Sequence, residues 1–235
     1  MRYKFLIAYD GTDYHGWQVQ REDPTIQGEI EGALASVFNK RIRVVGAGRT
    51  DAGVHALGQV AHTDLETDLN LDTIRTATNA NLPRSIRILK VEQADPDFHA
   101  RLSARSKIYR YQITYSDSPF KRRYFWQIPY QLDIKTMEGM MPKLIGKRDF
   151  SSLAGNLEGR SPICRIMRID LTMEDDDLII EVEGDRFLPQ MVRRIIGFLT
   201  EVGRGKEYPD EISRLGETIY KIAPPQGLFL FRVIY

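Results

Sequence analysis

At the start of the chain, Tyr3, Phe5, Ile7 and Tyr9 fall on every second position, the period of a strand that buries one face. A glycine-containing loop, Asp10 to Gln20, follows it. Thr25 is placed to cap a helix on which Ile26, Ile30, Leu34, Val37 and Phe38 recur at helical spacing. Ile42 to Val45 reads as a short strand and Val54 to His62 as a longer one. Asp72 opens a helix that runs to about Asn79, and Ile86 to Val91 reads as a further strand. Up to this point the order is β-α-β-β-α-β.

The same order returns in the second half. Lys107 to Tyr115 is a strand on which Tyr109, Tyr111 and Tyr115 share one face and Arg110 the other. Asp133 to Ile145 is a helix with Pro142 near its end. Arg165 to Met173 and Leu178 to Glu183 form a hairpin across an acidic turn. Pro189 to Val202 is a helix with Met191, Ile195, Leu199 and Val202 on one side. A short helix, Pro209 to Tyr220, precedes the last strand, Leu228 to Tyr235. Two such units predict an α+β fold of two ferredoxin-like halves, 1–100 and 101–235, with the boundary between residues 95 and 105.

Composition narrows the class. With 42% hydrophobic and 28% charged residues in 235, the chain suits a globular protein with a large core. Its single cysteine, Cys164, excludes an internal disulfide framework and any cysteine-built zinc site. No apolar run approaches a membrane span, and the N-terminal apolar stretch is too short for a signal peptide, which points to the cytoplasm. The net charge of +1 is uninformative, but its distribution is not. Residues 1–100 carry 11 basic and 14 acidic side chains, whereas 101–235 carry 22 and 18. Seven cations crowd into 101–123 (Arg101, Arg105, Lys107, Arg110, Lys121, Arg122, Arg123) against one acid, Asp117. A polyanion docks on such local patches.

Three stretches could carry chemistry. Gly46-Ala47-Gly48-Arg49-Thr50-Asp51-Ala52-Gly53 is a tight loop between two strands, with a carboxylate at Asp51 and a cation two residues before it. It is no dinucleotide fingerprint, because Asp51 stands where the third glycine would be and no helix follows. A rigidly held carboxylate can act as nucleophile, base or charge stabiliser; it can equally be a turn aspartate paired with arginine. Phe98 to Tyr111 mixes cations and aromatics, a combination that suits phosphates and exposed bases, although the tyrosines could simply be core. Arg193 and Arg194 sit in the first turns of an otherwise apolar helix. The four histidines, His15, His55, His62 and His99, lack metal-ligand spacing.

Seven ordered motifs give the chain a family resemblance. They are Tyr9-Asp10-Gly11 with Gly16-Trp17-Gln18; Gly46 to Gln59, with its Arg-Thr-Asp-Ala-Gly-Val-His-Ala core; Asn79-Ala80-Asn81-Leu82-Pro83; Phe98-His99-Ala100-Arg101; Asp149-Phe150-Ser151; Met191-Val192-Arg193; and Ala223 to Leu228. In this the chain resembles the TruA family of tRNA pseudouridine synthases. The resemblance implies two RRM-like halves flanking a basic cleft, a homodimer, no cofactor and no metal. It implies conversion of uridine to pseudouridine in the tRNA anticodon stem–loop, at tRNA positions 38, 39 and 40. Asp51 matches the family nucleophile, which adds to C1′, adds to C6, or assists elimination of uracil; all three routes stay open. Tyr109 matches the tyrosine that stacks on the target base. Arg193 matches the arginine that pairs with the aspartate, with Arg49 flanking. Arg101, Arg105, Lys107 and Arg110 are candidate phosphate contacts by their local charge. One departure stands out: Pro189 and Gln190 occupy positions where His, Tyr or Asn is common. A competing reading keeps the fold and tRNA binding without catalysis.

Overall fold

In the computed structural model, which describes residues 1–157, 159–207 and 222–235, the alternation at the N-terminus becomes strand β1 (Arg2–Tyr9). Tyr3, Phe5, Ile7 and Tyr9 are all buried on it. Helix α1 (Ile26–Phe38) begins where the Thr25 hydroxyl accepts from the Gly28 N–H and ends at Asn39 in the left-handed conformation, φ 49°. β2 (Val45–Gly46), β3 (His55–Asp64), α2 (Leu71–Asn81) and β4 (Ile86–Gln93) follow. α2 is capped by the Asn70 side chain, which accepts from Thr73 N–H at 2.9 Å; Asp72 instead pairs with Arg75 one turn on.

The strand expected over Ile42–Val45 shrinks to two residues, Val45–Gly46. Residues 43 and 44 give their backbone groups to side chains instead. The Val44 N–H donates to Glu31 Oε1, the Val44 carbonyl accepts from Gln27 Nε2, and the Arg43 carbonyl accepts from Thr63 Oγ1. Only after that does a ladder form, Val45 opposite His62 and Gly46 opposite Ala61.

The chain divides into two compact units, Met1–Arg105 with Phe229–Tyr235, and Ser106–Leu228. The last strand, β10 (Leu228–Ile234), thus leaves the second half of the sequence and joins the first unit. There it runs parallel to the start of β3, Phe229 opposite His55 and Leu230 opposite Ala56. β1 pairs antiparallel with both β4 and β3. The β1–β3 register shifts between Ile7 and Tyr9. Gly58 lies in that shift, where a Cβ would stand 2.4 Å from the Phe231 carbonyl oxygen of β10.

The second unit holds β5 (Ser106–Thr114), β6 (Trp126–Gln127), α3 (Ile134–Leu144), β7 (Gly146–Asp149), β8 (Ile163–Glu174), β9 (Asp177–Gly184) and α4 (Met191–Gly203). β5, β9, β8 and β7 form an antiparallel sheet in that order, and β6 adds parallel to β5. β6 and β7 carry no apolar alternation and escape a reading by period. Across the sheet the apolar rungs are Tyr109–Val182–Ile169, Tyr111–Ile180–Leu171 and Ile113–Leu178–Met173. The opposite face carries charge. Arg110 donates twice to Glu181, at 2.9 and 2.7 Å, and Arg168 pairs with Asp170 and with Glu183 at 3.5 Å. The helix expected over Pro209–Tyr220 lies outside the described residues.

α4 starts at Met191, two residues later than the pattern predicts. Pro189 is held outside it, its carbonyl accepting from Gly155 N–H at 2.8 Å, and Gln190 adopts a left-handed φ of 59°. Beyond that, α4 is buried along nearly its whole length. It packs on α3, where Gly203 leaves room for Met137 and its carbonyl accepts from Asp133 N–H. Even Glu201 is buried. Burial pushes its carboxyl up, but hydrogen bonds from Lys206 and Arg204 outweigh that and hold it below the ordinary carboxylate value.

Ile195 has no exposed surface at the centre of α4. Ile195→Ala should therefore destabilise the protein by about 2–5 kcal/mol, read as a lower urea midpoint, the range for truncating a fully buried aliphatic side chain.

Candidate active site

The loop that carries Asp51 joins β2 to β3 and is fastened at almost every residue. The Ala47 N–H donates to the Val60 carbonyl at 2.7 Å. The buried Gln59 amide donates to the Gly48 carbonyl at 2.8 Å. Thr50 is held from two sides. Its hydroxyl shares a hydrogen bond of 2.8 Å with Tyr9 Oη, and its carbonyl accepts from the Trp17 N–H at 3.0 Å. Burial pushes the Tyr9 phenol far up, so it remains protonated. The turn closes with Val54 N–H donating to the Asp51 carbonyl and Gly53, φ 74°, donating to the Tyr14 carbonyl. Asp51 itself is half-buried.

The segment 11–17 lies flat against this loop. A Cβ on Gly11 would stand 2.0 Å from the Val54 oxygen. On Gly16, whose φ is +91°, it would stand 2.5 Å from the Thr50 oxygen and 3.1 Å from the Asp51 carbonyl carbon. On Gly46 it would meet the Trp17 indole at 2.6 Å. The glycine-containing loop, a connection by its pattern but marked at Gly11 and Gly16 by the family motifs, is therefore the floor of the Asp51 turn. His55, one residue past the turn, is buried and stacks on Phe229, ring centroids 4.7 Å apart. Its Nδ1 accepts from the Gly11 N–H at 3.0 Å, and the Asp10 carboxylate lies 3.2 Å from the same nitrogen. Arg49 is exposed, with no ion pair to another described residue.

The first unit also holds the Phe98-His99-Ala100-Arg101 motif, as a compact turn. His99 Nδ1 accepts from the N–H groups of Arg101 and Leu102, both at 3.2 Å. His62 Nδ1 accepts from Ala100 N–H at 3.1 Å, Tyr235 Oη donates to the Ala100 carbonyl at 2.7 Å, and Arg2 donates to the Phe98 carbonyl at 2.9 Å. Arg101 and Leu102 are exposed at the tip, and Arg105 is exposed beyond it. Burial, with the neighbouring His99 and Arg2, pushes the His62 imidazole below 6.5, against a smaller opposing pull from Asp64.

The second unit holds Tyr109 and Arg193. Tyr109 is largely buried on β5, with its ring edge-on to Phe187 at 5.1 Å between centroids. Arg193 lies in the first turn of α4. Its Nε donates to the Ala223 carbonyl at 2.8 Å, while Ala223 N–H donates back to the Arg193 carbonyl. Tyr111 Oη donates to the adjacent Pro224 carbonyl at 2.8 Å, and Gly227 packs on the Tyr111 ring with no room for a Cβ. Arg193 and Tyr111 thus grip the Ala223–Leu228 motif together. Lys107 is buried and Arg110 is engaged with Glu181, so neither has the open setting of Arg101 and Arg105.

Two further motifs have structural employment. Both ends of the Asn79 amide pair with the Ile88 backbone, extending β4 sideways. Asp149 accepts from Ser151 N–H around the fully buried Phe150. Among the described residues no three His, Cys, Asp or Glu side chains gather as a metal site.

Comparison with known proteins agrees with these motifs. A family profile described as tRNA pseudouridine synthase matches residues 6–102 and 140–235. The chain is 42% identical to tRNA pseudouridine synthase A of Listeria monocytogenes serovar 1/2a, over 100% of this chain and 99% of that one. It is 42% identical to the protein of the same name from Geobacillus sp. strain WCH70, over 100% and 98%. With that of Thermodesulfovibrio yellowstonii it shares 36%, over 99% and 98%.

The glycine floor yields a paired test. Gly16→Ala should cost about 1–3 kcal/mol or more by thermal melting, because its Cβ meets backbone at a left-handed φ. Gly32→Ala, where a Cβ meets nothing within 4 Å on α1, should instead stabilise by about 0.5–1 kcal/mol. His62 yields a pH test. Its folded-state value is lowered, so the unfolded chain takes up the proton first and stability falls as pH drops below about 6.5. His62→Asn, with Oδ1 standing in for Nδ1, should keep the Ala100 bond and flatten that part of the melting-temperature profile.

Proposed function

The chain belongs to the tRNA pseudouridine synthase family, and from that premise we propose that it isomerises uridine to pseudouridine in the tRNA anticodon stem–loop. The observation that carries the reading is the fastening of the Asp51 turn, which holds a carboxylate on immobile backbone between Thr50 and Gly53. The reaction breaks C1′–N1, turns the uracil and forms C5–C1′. N1 gains a proton and C5 loses one, so nothing is consumed. Such chemistry requires the base to leave its stack. It also needs a carboxylate that does not drift while the detached base rotates. A carboxylate acting at an anomeric carbon has its parallel in retaining glycosidases.

In this reading Asp51 is the nucleophile and Tyr109 the stacking partner of the target base. Arg193 supports the carboxylate charge and Arg49 flanks it on the loop. Exposed Arg101 and Arg105 take phosphates, which fix the RNA in place without reading its sequence. Lys107 and Arg110, by their burial and ion pairing, serve that role less directly. The partner is tRNA, the working form a homodimer and the place the cytoplasm, as the family resemblance implies. No described helix is long and apolar enough to cross a membrane.

Tritium release from tRNA labelled at uridine C5 tests the proposal, since C5 must lose its hydrogen. Wild type should release tritium, and Asp51→Ala should lose more than about 10³-fold in rate while it still binds tRNA. A folded wild type that binds unmodified tRNA yet releases none would leave a non-catalytic tRNA-binding protein as the better reading.

A further inference from the structure

Between β5 and β6 the chain makes an excursion, residues 115–125, which the proposed chemistry does not use. Its base is built firmly. Ile113 and Thr114 pair in parallel with Trp126 and Gln127. The Gln127 amide donates to both the Ser116 and Ser118 carbonyls, at 3.1 and 2.9 Å. Gln112 donates to the Tyr124 carbonyl at 2.8 Å. Lys121 is drawn inward, with Nζ 2.5 Å from Asp177 and 5.2 Å from the Phe125 ring centroid. Its carbonyl accepts from both Tyr124 and Phe125 N–H, which closes a turn.

What this turn displays is unusual for a free surface. Phe120 is 91% exposed, and Arg122, Arg123 and Tyr124 stand exposed beside it. A phenylalanine held in water at the end of a pinned turn has no role in the core. Arg122 and Arg123 follow it closely in the chain, so the exposed ring sits beside a local excess of positive charge, which draws a polyanion. Nucleic acid offers both complements at once, a π-face for the ring and phosphates for the guanidinium groups. Because the turn is already fastened at four places, little chain entropy is lost when it docks.

We infer that the 119–124 turn is a second tRNA-binding site, with Phe120 stacking on an unpaired base and Arg122 and Arg123 contacting the backbone phosphates on either side. The inference rests on the reading of tRNA as substrate, but it is tested by binding, independently of turnover.

The test uses full-length protein in an Asp51→Asn background, with an unmodified tRNA transcript titrated over a series of salt concentrations. Phe120→Ala should raise Kd about 5- to 100-fold. Arg122→Ala should raise Kd and make the log–log salt slope shallower by about 1. Both side chains are exposed, so melting temperatures should stay at the parent value. Unchanged Kd and salt slope in both variants would overturn the inference. So would a loss of oligomeric state by light scattering with Kd unchanged, which would make the turn a protein contact. Tritium release by the wild type, measured separately, reports on the isomerase reading alone.

Discussion

The 11–17 segment and the 50–54 turn approach so closely that no Cβ fits between them at Gly11 or Gly16. That contact is backbone on backbone, with Trp17 N–H on the Thr50 carbonyl and Gly53 N–H on the Tyr14 carbonyl. It converts a loop into a fixed platform. A side chain on such a platform inherits its position from main-chain hydrogen bonds, which move far less than a rotamer does. The indole of Trp17 fills the space over Gly46 and ties the platform back to β2. Tyr9, buried and protonated, ties it to β1 through Thr50.

The second unit reaches the same rigidity by another route. Its sheet carries three apolar rungs on one face and keeps charge on the other, where Arg110, Glu181, Arg168 and Glu183 satisfy one another. Arg193 and Tyr111 then hold the 223–224 carbonyls. A guanidinium anchored by one nitrogen keeps its remaining donors aimed in a restricted direction.

Much of this was legible in residue patterns. Alternation placed β1, and helical spacing with a capping Thr25 placed α1. The order of the first unit followed from the same periods. The ends were less legible where side chains compete for backbone groups. Glu31, Gln27 and Thr63 take the bonds that a strand at 42–44 would have made. Gln190 turns left-handed and delays α4 past the proline. Charged β7 and two-residue β6 have no period to find. At the site, Asp51 stands out by its glycine frame, and the motifs also single out Gly11 and Gly16, but not what they support. Gly11 and Gly16 lie more than thirty positions from the turn they support, and nothing local marks them as its floor. Lys107 and Arg110 show the converse: composition suggested open cations, and pairing across strands placed one in the interior and one on Glu181.

The return of Phe229–Tyr235 to the first unit bears on how the chain is made. β3 receives part of its edge from β10, and Tyr235 clasps Ala100 across the Phe98–Arg101 turn. A ribosome delivers residues in order, and N-terminal segments usually fold first. Here the first unit to emerge must wait, its β3 edge open, while all of Ser106–Leu228 is synthesised. The unit that carries the Asp51 turn is thus begun first and finished last, and an incompletely translated chain lacks the strand that His55 stacks upon.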